Sequence, residues 1–261
     1  MKLHLHPATA EVLQAFSGLK TRVPSMAGSF VADSSRVVLK LLASDLAVEA
    51  VLATPDWYVQ HEAELLTYPT LVCYVAEKTH LEEIVGFNLH EGVMARAPVP
   101  GDVPLSSFYQ QSLIVLDGIM KAENVGAIIR NAGAFGIWNL LISHDTCHPY
   151  NRRSARVAMG NLFRMRVHQT PDLPQALQQL RANGVQVYGF ENRPFAQDLE
   201  TVKFAPHSAL VIGSEGAGIR PKILAESDHF VRIPIDEQVF ALNAACASAV
   251  ALYAFSRQTL A

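Results

Sequence analysis

Apolar residues at positions 37, 38, 41 and 42 recur at the spacing of one helix face, which predicts a helix over 34–42 with Asp33 or Ser34 as its N-cap. Residues 48–53 (VEAVLA) read as a strand ended by Pro55-Asp56, and 71–75 (LVCYV) read as a second. Helices are expected at 57–66 and 80–84. Residues 1–25 show no clear period, although Val12, Leu13 and Phe16 suit the start of a short helix. Such dense β/α alternation predicts a small α/β unit with mostly parallel pairing.

Residues 95–104 hold three prolines and a glycine, which is linker chemistry. The expected division is therefore an α/β domain over 1–98, a proline-rich linker over 99–111 and a second domain over 112–261. That domain opens with an apolar strand at 112–116 (SLIVL) ending at Asp117-Gly118. Val125, Ile128, Ile129, Ala132 and Phe135 then recur at helical spacing, predicting a helix capped by Asn124 and ended by Gly136. Further strands are expected at 138–142, 185–190, 209–212 and 230–233. Helices are expected at 173–183, stopped by Gly184, at 221–226, and from 242 to about 257.

Composition narrows the class. Half of the 261 residues are hydrophobic and 17% are charged, the make-up of an ordinary core-forming protein. The three cysteines are widely spaced with no C-x-x-C, which argues against a disulfide framework or a zinc site and fits a reducing cytoplasm. No signal peptide is apparent at the N-terminus, and no uncharged apolar run approaches the ~18 residues of a membrane span. A cytoplasmic protein without membrane or metal partners is expected.

The net charge of −3 is uneven: residues 1–100 carry seven Lys/Arg against eleven Asp/Glu, and residues 101–261 carry fourteen against thirteen. Arg152, Arg153, Arg156, Arg164 and Arg166 fall between Asp145 and Asp172 with no acid among them. A local arginine patch suits a polyanion, because each neutralised phosphate releases counterions; a solvated positive face is the alternative.

The sharpest local signal is the apolar run at 209–212 breaking into Gly213-Ser-Glu-Gly-Ala-Gly218. A buried strand that ends in clustered glycines delivers backbone N–H and C=O groups to a ligand, since the missing side chains permit close approach. The order G-x-x-G-x-G is neither the dinucleotide fingerprint nor, without Gly-Lys-Ser/Thr, a triphosphate loop. A plain strand–turn–helix junction explains the cluster equally well by itself. Within the expected helix, Arg130 is set off from its apolar neighbours, where a merely structural arginine is an odd choice.

Three pieces stand in order: Asn124-x-Gly126-x-x-x-Arg130 with Phe135-Gly136, then Gly213 to Gly218, then Ile233-Pro234 with Leu242-Asn243. Their order and spacing resemble motifs 1, 2 and 3 of the SpoU-type (TrmH-like) RNA ribose methyltransferases of the SPOUT superfamily. The resemblance spans roughly 112–258 and includes Arg153-Ser154 and Gly160-Asn161 as an intermediate segment. The N-terminal part is similar, less specifically, to a ribosomal-protein-like substrate-binding domain, best at 30–33 and 86–95.

The resemblance implies a parallel α/β domain with a trefoil knot, a homodimer, S-adenosylmethionine in the knot, and methyl transfer to a ribose 2′-hydroxyl of rRNA or tRNA. By position, Gly213, Ile233 and Leu242 would contact the cofactor through backbone groups, with Glu215 and Gly218 in the same loop and Asn243 beside it. Arg130 matches the motif 1 arginine, assigned either to activating the hydroxyl or to positioning phosphate and stabilising the oxyanion. Asn124 would hold that arginine or the ribose, or only cap its helix. Arg152, Arg153 and Arg156 are the RNA-contact candidates.

The chain departs from the family in motif 3, where Glu237 replaces a glycine and Ala241-Leu-Asn-Ala-Ala245 replaces Ser-Leu-Asn-Val-Ser. Two hydroxyls are absent. A non-catalytic RNA-binding relative, and an ordinary metabolic α/β enzyme, are therefore the competing readings.

Overall fold

The computed structural model describes residues 4–16, 28–85, 89, 91–214 and 216–259. In chain order the elements up to residue 100 are β1 (His4–Pro7), α1 (Ala10–Ala15), β2 (Ser29–Asp33), α2 (Ser35–Leu42), β3 (Ala50–Ala53), α3 (Pro55–Leu65), β4 (Val72–Val75), α4 (Lys78–Val85) and β5 (Val93–Pro98). There follow β6 (Leu113–Asp117), α5 (Ala122–Ala134), β7 (Asn139–Ser143), α6 (Arg152–Val157), β8 (Arg166–Thr170), α7 (Leu173–Ala182) and β9 (Gln186–Phe190). The last are β10 (Gln197–Asp198), β11 (Ser208–Gly213), α8 (Pro221–Leu224), β12 (His229–Arg232) and α9 (Ala244–Thr259). The chain forms two compact units, Met1–Pro100 with His148–Phe163, and Gly101–Cys147 with Arg164–Ala261.

In the first unit the sheet order is β1-β4-β3-β5-β2. The pairs β1/β4 and β3/β4 are parallel, but β5 runs antiparallel to both β3 and β2. The expectation of mostly parallel pairing is thus corrected to a mixed sheet. Val93, Met94, Ala95 and Ala97 are fully buried, yet they stand against the proline cluster, whose composition hid the strand. Helix α2 buries Val37, Val38, Leu41 and Leu42 as its period predicts. Its expected side-chain cap is absent: Ser34 sits at φ 83° without a capping bond, and the Ser35 amide donates instead to the Glu91 carboxylate. Asp33, the other expected cap, is turned to Arg152 of α6.

The stretch 148–163, which the sequence places inside 112–261, packs with this first unit. Helix α6 lies on β2, Phe30 and Tyr150 rings sit 4.8 Å apart, and Lys40 Nζ donates to the Met159 carbonyl at 2.9 Å.

The second unit is built on a seven-stranded sheet in the order β10-β12-β9-β11-β6-β7-β8. Every neighbouring pair is parallel. All residues of β6 and β7 are buried, as are residues 208–212 of β11, which is why these strands read as unbroken apolar runs. On one face Leu113, Val115, Val187 and Val211 join Leu177 and Leu180 of α7 and Ile223 of α8 in one core. The alternate residues Ile114, Leu116 and Leu210 are buried as well, and α9 packs against β11 and α5.

Two local readings change. Strand β8 and helix α6 both lie in the arginine stretch, where no strand or helix was expected. Helix α5 starts at Ala122, with Lys121 in the cap position; Asn124 is inside the first turn, its amide donating to the Lys121 carbonyl at 3.0 Å.

Candidate functional site

Chain order reverses at β11. Strands β6, β7 and β8 run outward in one direction, β9 begins on the other side, and β11 inserts between β9 and β6. In open parallel sheets a crevice for ligands forms beyond the carboxyl ends of the strands at such a switch point. Gly213 is the carboxyl end of β11, paired with Asp117 at the end of β6.

The loop after Gly213 is closed by its own backbone. Ser214 N donates to Gly218 O at 3.1 Å and Gly218 N to Ser214 O at 2.9 Å. A Cβ at 213 would strike the backbone of Gly218 and Ile219, so the turn admits only glycine there. Gly218 has φ 69°, and a Cβ on it would meet the Glu191 carboxylate. The Ile219 amide donates to Glu191 Oε1. Next, the Arg220 amide donates to Asp117 Oδ2 at 2.8 Å and Arg220 Nε to Asp117 Oδ1 at 2.6 Å. Its Nη1 reaches Asp145 Oδ2 at 3.1 Å.

The anchor sets one guanidinium against two carboxylates. Burial works against the Arg220 charge, but the Asp117 hydrogen bond and the charges of Asp117 and Asp145 outweigh it and raise its pKa. Burial likewise raises the Asp145 pKa, and the Ser143 hydrogen bond and Arg220 guanidinium more than offset that, leaving the carboxyl below its ordinary value.

Within the second unit a cavity of about 300 Å³ opens here, formed by residues 190–193 at the end of β9, by 212–214 and 216–218, and by residues between 231 and 247. Ile212, Val231, Ile233 and Ile235 give it apolar walls, and Glu191 and Arg193 give it charge. Such a mixture of apolar wall and few polar groups suits a small organic ligand.

Of the residues singled out in the sequence, Gly213, Gly218, Ile233 and Leu242 line the cavity. Glu215 lies outside the described residues. Asn243 does not line the cavity, although its neighbours Leu242 and Ala244 do. Its Nδ2 donates to Asn124 Oδ1 at 3.2 Å, so the first and third motifs meet through two amides. Asn124 is buried for that reason. Arg130 is exposed on α5 and is not part of the cavity wall. The adjacent Asn131 donates to Ala245 O at 2.9 Å and Ser248 Oγ at 3.1 Å, which fixes this end of α5 to the start of α9.

The arginine patch is divided. Arg152 pairs with the buried Asp33, and Arg156 Nη1 lies 3.8 Å from the same oxygen. Arg153 of α6 is exposed. In the second unit Arg164 stacks over Trp138 at 4.2 Å, and Arg166 lies over Phe108 at 5.8 Å. Two residues of the cavity wall, Glu191 and Arg193, and the Arg220 anchor behind the loop escaped the sequence reading. Glu191 follows a buried apolar strand directly, and a charge at such a carboxyl end is the signal that marks it. Among the described residues no group of three or more His, Cys, Asp or Glu side chains is placed to hold a metal ion, and no helix is long and apolar enough to cross a membrane.

Comparison with known proteins adds the relatives. A family model described as the SpoU rRNA Methylase family matches residues 111–253. An uncharacterized tRNA/rRNA methyltransferase of Mycobacterium tuberculosis is 29% identical over 243 residues, covering 90% of this chain and 83% of its own. The 23S rRNA (guanosine-2′-O-)-methyltransferase RlmB of Acinetobacter baylyi is 30% identical over 193 residues, 71% of this chain and 78% of its own. Among solved structures, the SpoU methyltransferase AviRb from Streptomyces viridochromogenes, in complex with the cofactor AdoMet, superposes with a TM-score of 0.80. It covers 94% of this chain and 96% of its own at 23% identity, a likeness of fold. The matched region spans more than half of the chain and contains both the glycine-loop cavity and the Asn124–Asn243 contact, and this chain belongs to the SpoU rRNA methylase family.

Proposed function

We propose that this protein transfers a methyl group from S-adenosylmethionine to a ribose 2′-hydroxyl of RNA, ribosomal or transfer. The observation that carries the reading is the glycine-loop cavity at the switch point of the parallel sheet, in a chain of the SpoU family. The relatives named as RlmB and the 23S rRNA (guanosine(2553)-2′-O)-methyltransferase RlmP of Bacillus subtilis support both the reaction class and the RNA substrate.

The residues present fit the cofactor. Gly213 and Gly218 let the loop close tightly on its own backbone and on Glu191 at the cavity edge, and Ile233 and Leu242 add wall to the same cavity. Glu215 is proposed on its place in the motif alone, and Asn243 serves by holding its neighbours Leu242 and Ala244 in the wall. When bound, S-adenosylmethionine supplies a methyl carbon made electrophilic by its sulfonium. A ribose hydroxyl is a poor nucleophile at neutral pH, so the protein must polarise it and stabilise the developing oxyanion. Arg130 takes that role, acting as a permanent cation and not as a base, since a guanidinium stays protonated. Asn124 holds the motif 3 segment through Asn243, and thereby the adjoining cavity wall.

The first unit, residues 1–100 with 148–163, serves as the RNA substrate-binding domain, and the second unit carries the methyltransferase site. Arg153 of α6 is the exposed phosphate contact, with Arg152 and Arg156 ordered by Asp33 beside it. The same reading carries a trefoil knot in the second domain, a homodimer and a cytoplasmic location. The exposed Val250 and Tyr253 of α9 support the dimer.

A second reading, an RNA-binding relative without catalysis, is favoured by Ala241, which lines the cavity where the family resemblance expects a hydroxyl. At 245 the loss matters less, because the residue acts through its backbone: its amide donates to Asn243 Oδ1 at 2.9 Å and its carbonyl accepts from Asn131. Transfer of labelled methyl to total RNA from cells lacking this protein decides between them. The expected result is label in one RNA size class, with Arg130→Ala reducing transfer at least about a hundredfold while cofactor binding is kept. Equal rates for Arg130→Ala and parent would remove Arg130 from the mechanism; cofactor binding without any label would leave the second reading.

A further inference from the structure

We infer that Glu191 is a positioning residue of the pocket, holding the returning limb of the glycine loop in the shape that admits the cofactor. Only the identity of the ligand rests on the proposed function; the geometry of the clamp does not. Glu191 is the first residue beyond β9, and its amide donates to Val231 O at 2.9 Å, which ties its backbone to β12. Its side chain is 10% exposed, and Oε2 lies 3.8 Å from Arg193 Nε. Oε1 accepts the Ile219 amide. That amide belongs to no strand ladder or helix, and a buried N–H needs a partner.

The same carboxylate fills the space against Gly218, whose φ of 69° and missing Cβ are both required for the approach. Ile219 then drops into the core with 2% exposure, and Arg220 is taken by Asp117 on the next residue. Residues 218–220 are therefore held in succession by Glu191, the core and Asp117. The first of these holds is the one whose side chain also lines the cavity. Without it the Ile219 amide is orphaned and the limb bearing Gly216 to Gly218 loses its stop on the pocket side.

The test pairs Glu191→Ala with Glu191→Gln, which keeps an acceptor oxygen. In Glu191→Ala, native-state hydrogen exchange at the Ile219 amide should accelerate at least about tenfold, and the Kd and KM for S-adenosylmethionine should rise at least about tenfold. The kcat at saturating cofactor should change less than about threefold. Glu191→Gln should stay within about threefold of the parent in all of these. Should Glu191→Ala not fold, Glu191→Asp, one methylene short of the amide, replaces it with the same expectations. Unchanged exchange at Ile219 and unchanged cofactor affinity would overturn the assignment, as would Glu191→Gln being as damaging as Glu191→Ala, which would make the charge and not the hold the important feature. A parent protein that binds no S-adenosylmethionine would sink the proposed function, while the exchange measurement still decides the role of Glu191.

Discussion

At position 213 a hydrogen atom in place of a side chain decides whether the loop can close. The atoms in the way of a Cβ are backbone atoms of Gly218 and Ile219, which cannot rotate aside as a side-chain tip can. Gly213→Ala should therefore destabilise the protein by about 1–3 kcal/mol, the usual range for overpacking, and weaken cofactor binding strongly. Denaturant midpoints and calorimetric titration check both; a variant matching the parent in each would show that the loop closes differently. The glycines themselves were visible in the sequence. What they approach was not, because Glu191, Asp117 and Asp145 come from three other strand ends, and no local pattern announces a partner 28 or 103 residues away.

At the scale of elements, periodicity located the helices and strands that bury an ordinary face. Helix α7 is an example: Leu173, Ala176, Leu177 and Leu180 all turn inward, and Asp172 caps it by accepting the Gln175 amide at 3.0 Å. Leu177 is fully buried in the core cluster, so Leu177→Ala should cost about 2–5 kcal/mol, depending on how far the site collapses. An equilibrium unfolding curve within about 0.5 kcal/mol of the parent would show that the α7 packing is not as described. Periodicity failed where another force chose the conformation. Helix α5 begins at Ala122 and so encloses Asn124, whose side-chain oxygen accepts from Asn243. Strand β5 was masked by neighbouring prolines. Strand β8 and helix α6 were hidden by arginines that seat on rings and on a buried carboxylate.

At the scale of the whole molecule, the net charge of −3 gives no bulk attraction to RNA, so recognition rests on local contacts and shape. The proposed homodimer gives this scale its test. Sedimentation of the parent should report twice the chain mass of 28.5 kDa, and Val250→Asp on the exposed face of α9 should return it to one chain. A monomeric parent, or a variant that stays dimeric, would contradict that interface. The sequence by itself determined the α/β class, the strands whose two faces are both buried, and the three motifs in order. These are written in composition, in short-range period and in glycines, all of which act within a few residues. Only the tertiary structure decided the order β9-β11-β6, the mixed pairing of the first sheet, the grouping of 148–163 with residues 1–100, and the meeting of Asn124 with Asn243. Each of these joins residues far apart in the chain through hydrogen bonds and ion pairs whose partners are selected by three-dimensional proximity, and side-chain spacing along one dimension carries no record of it.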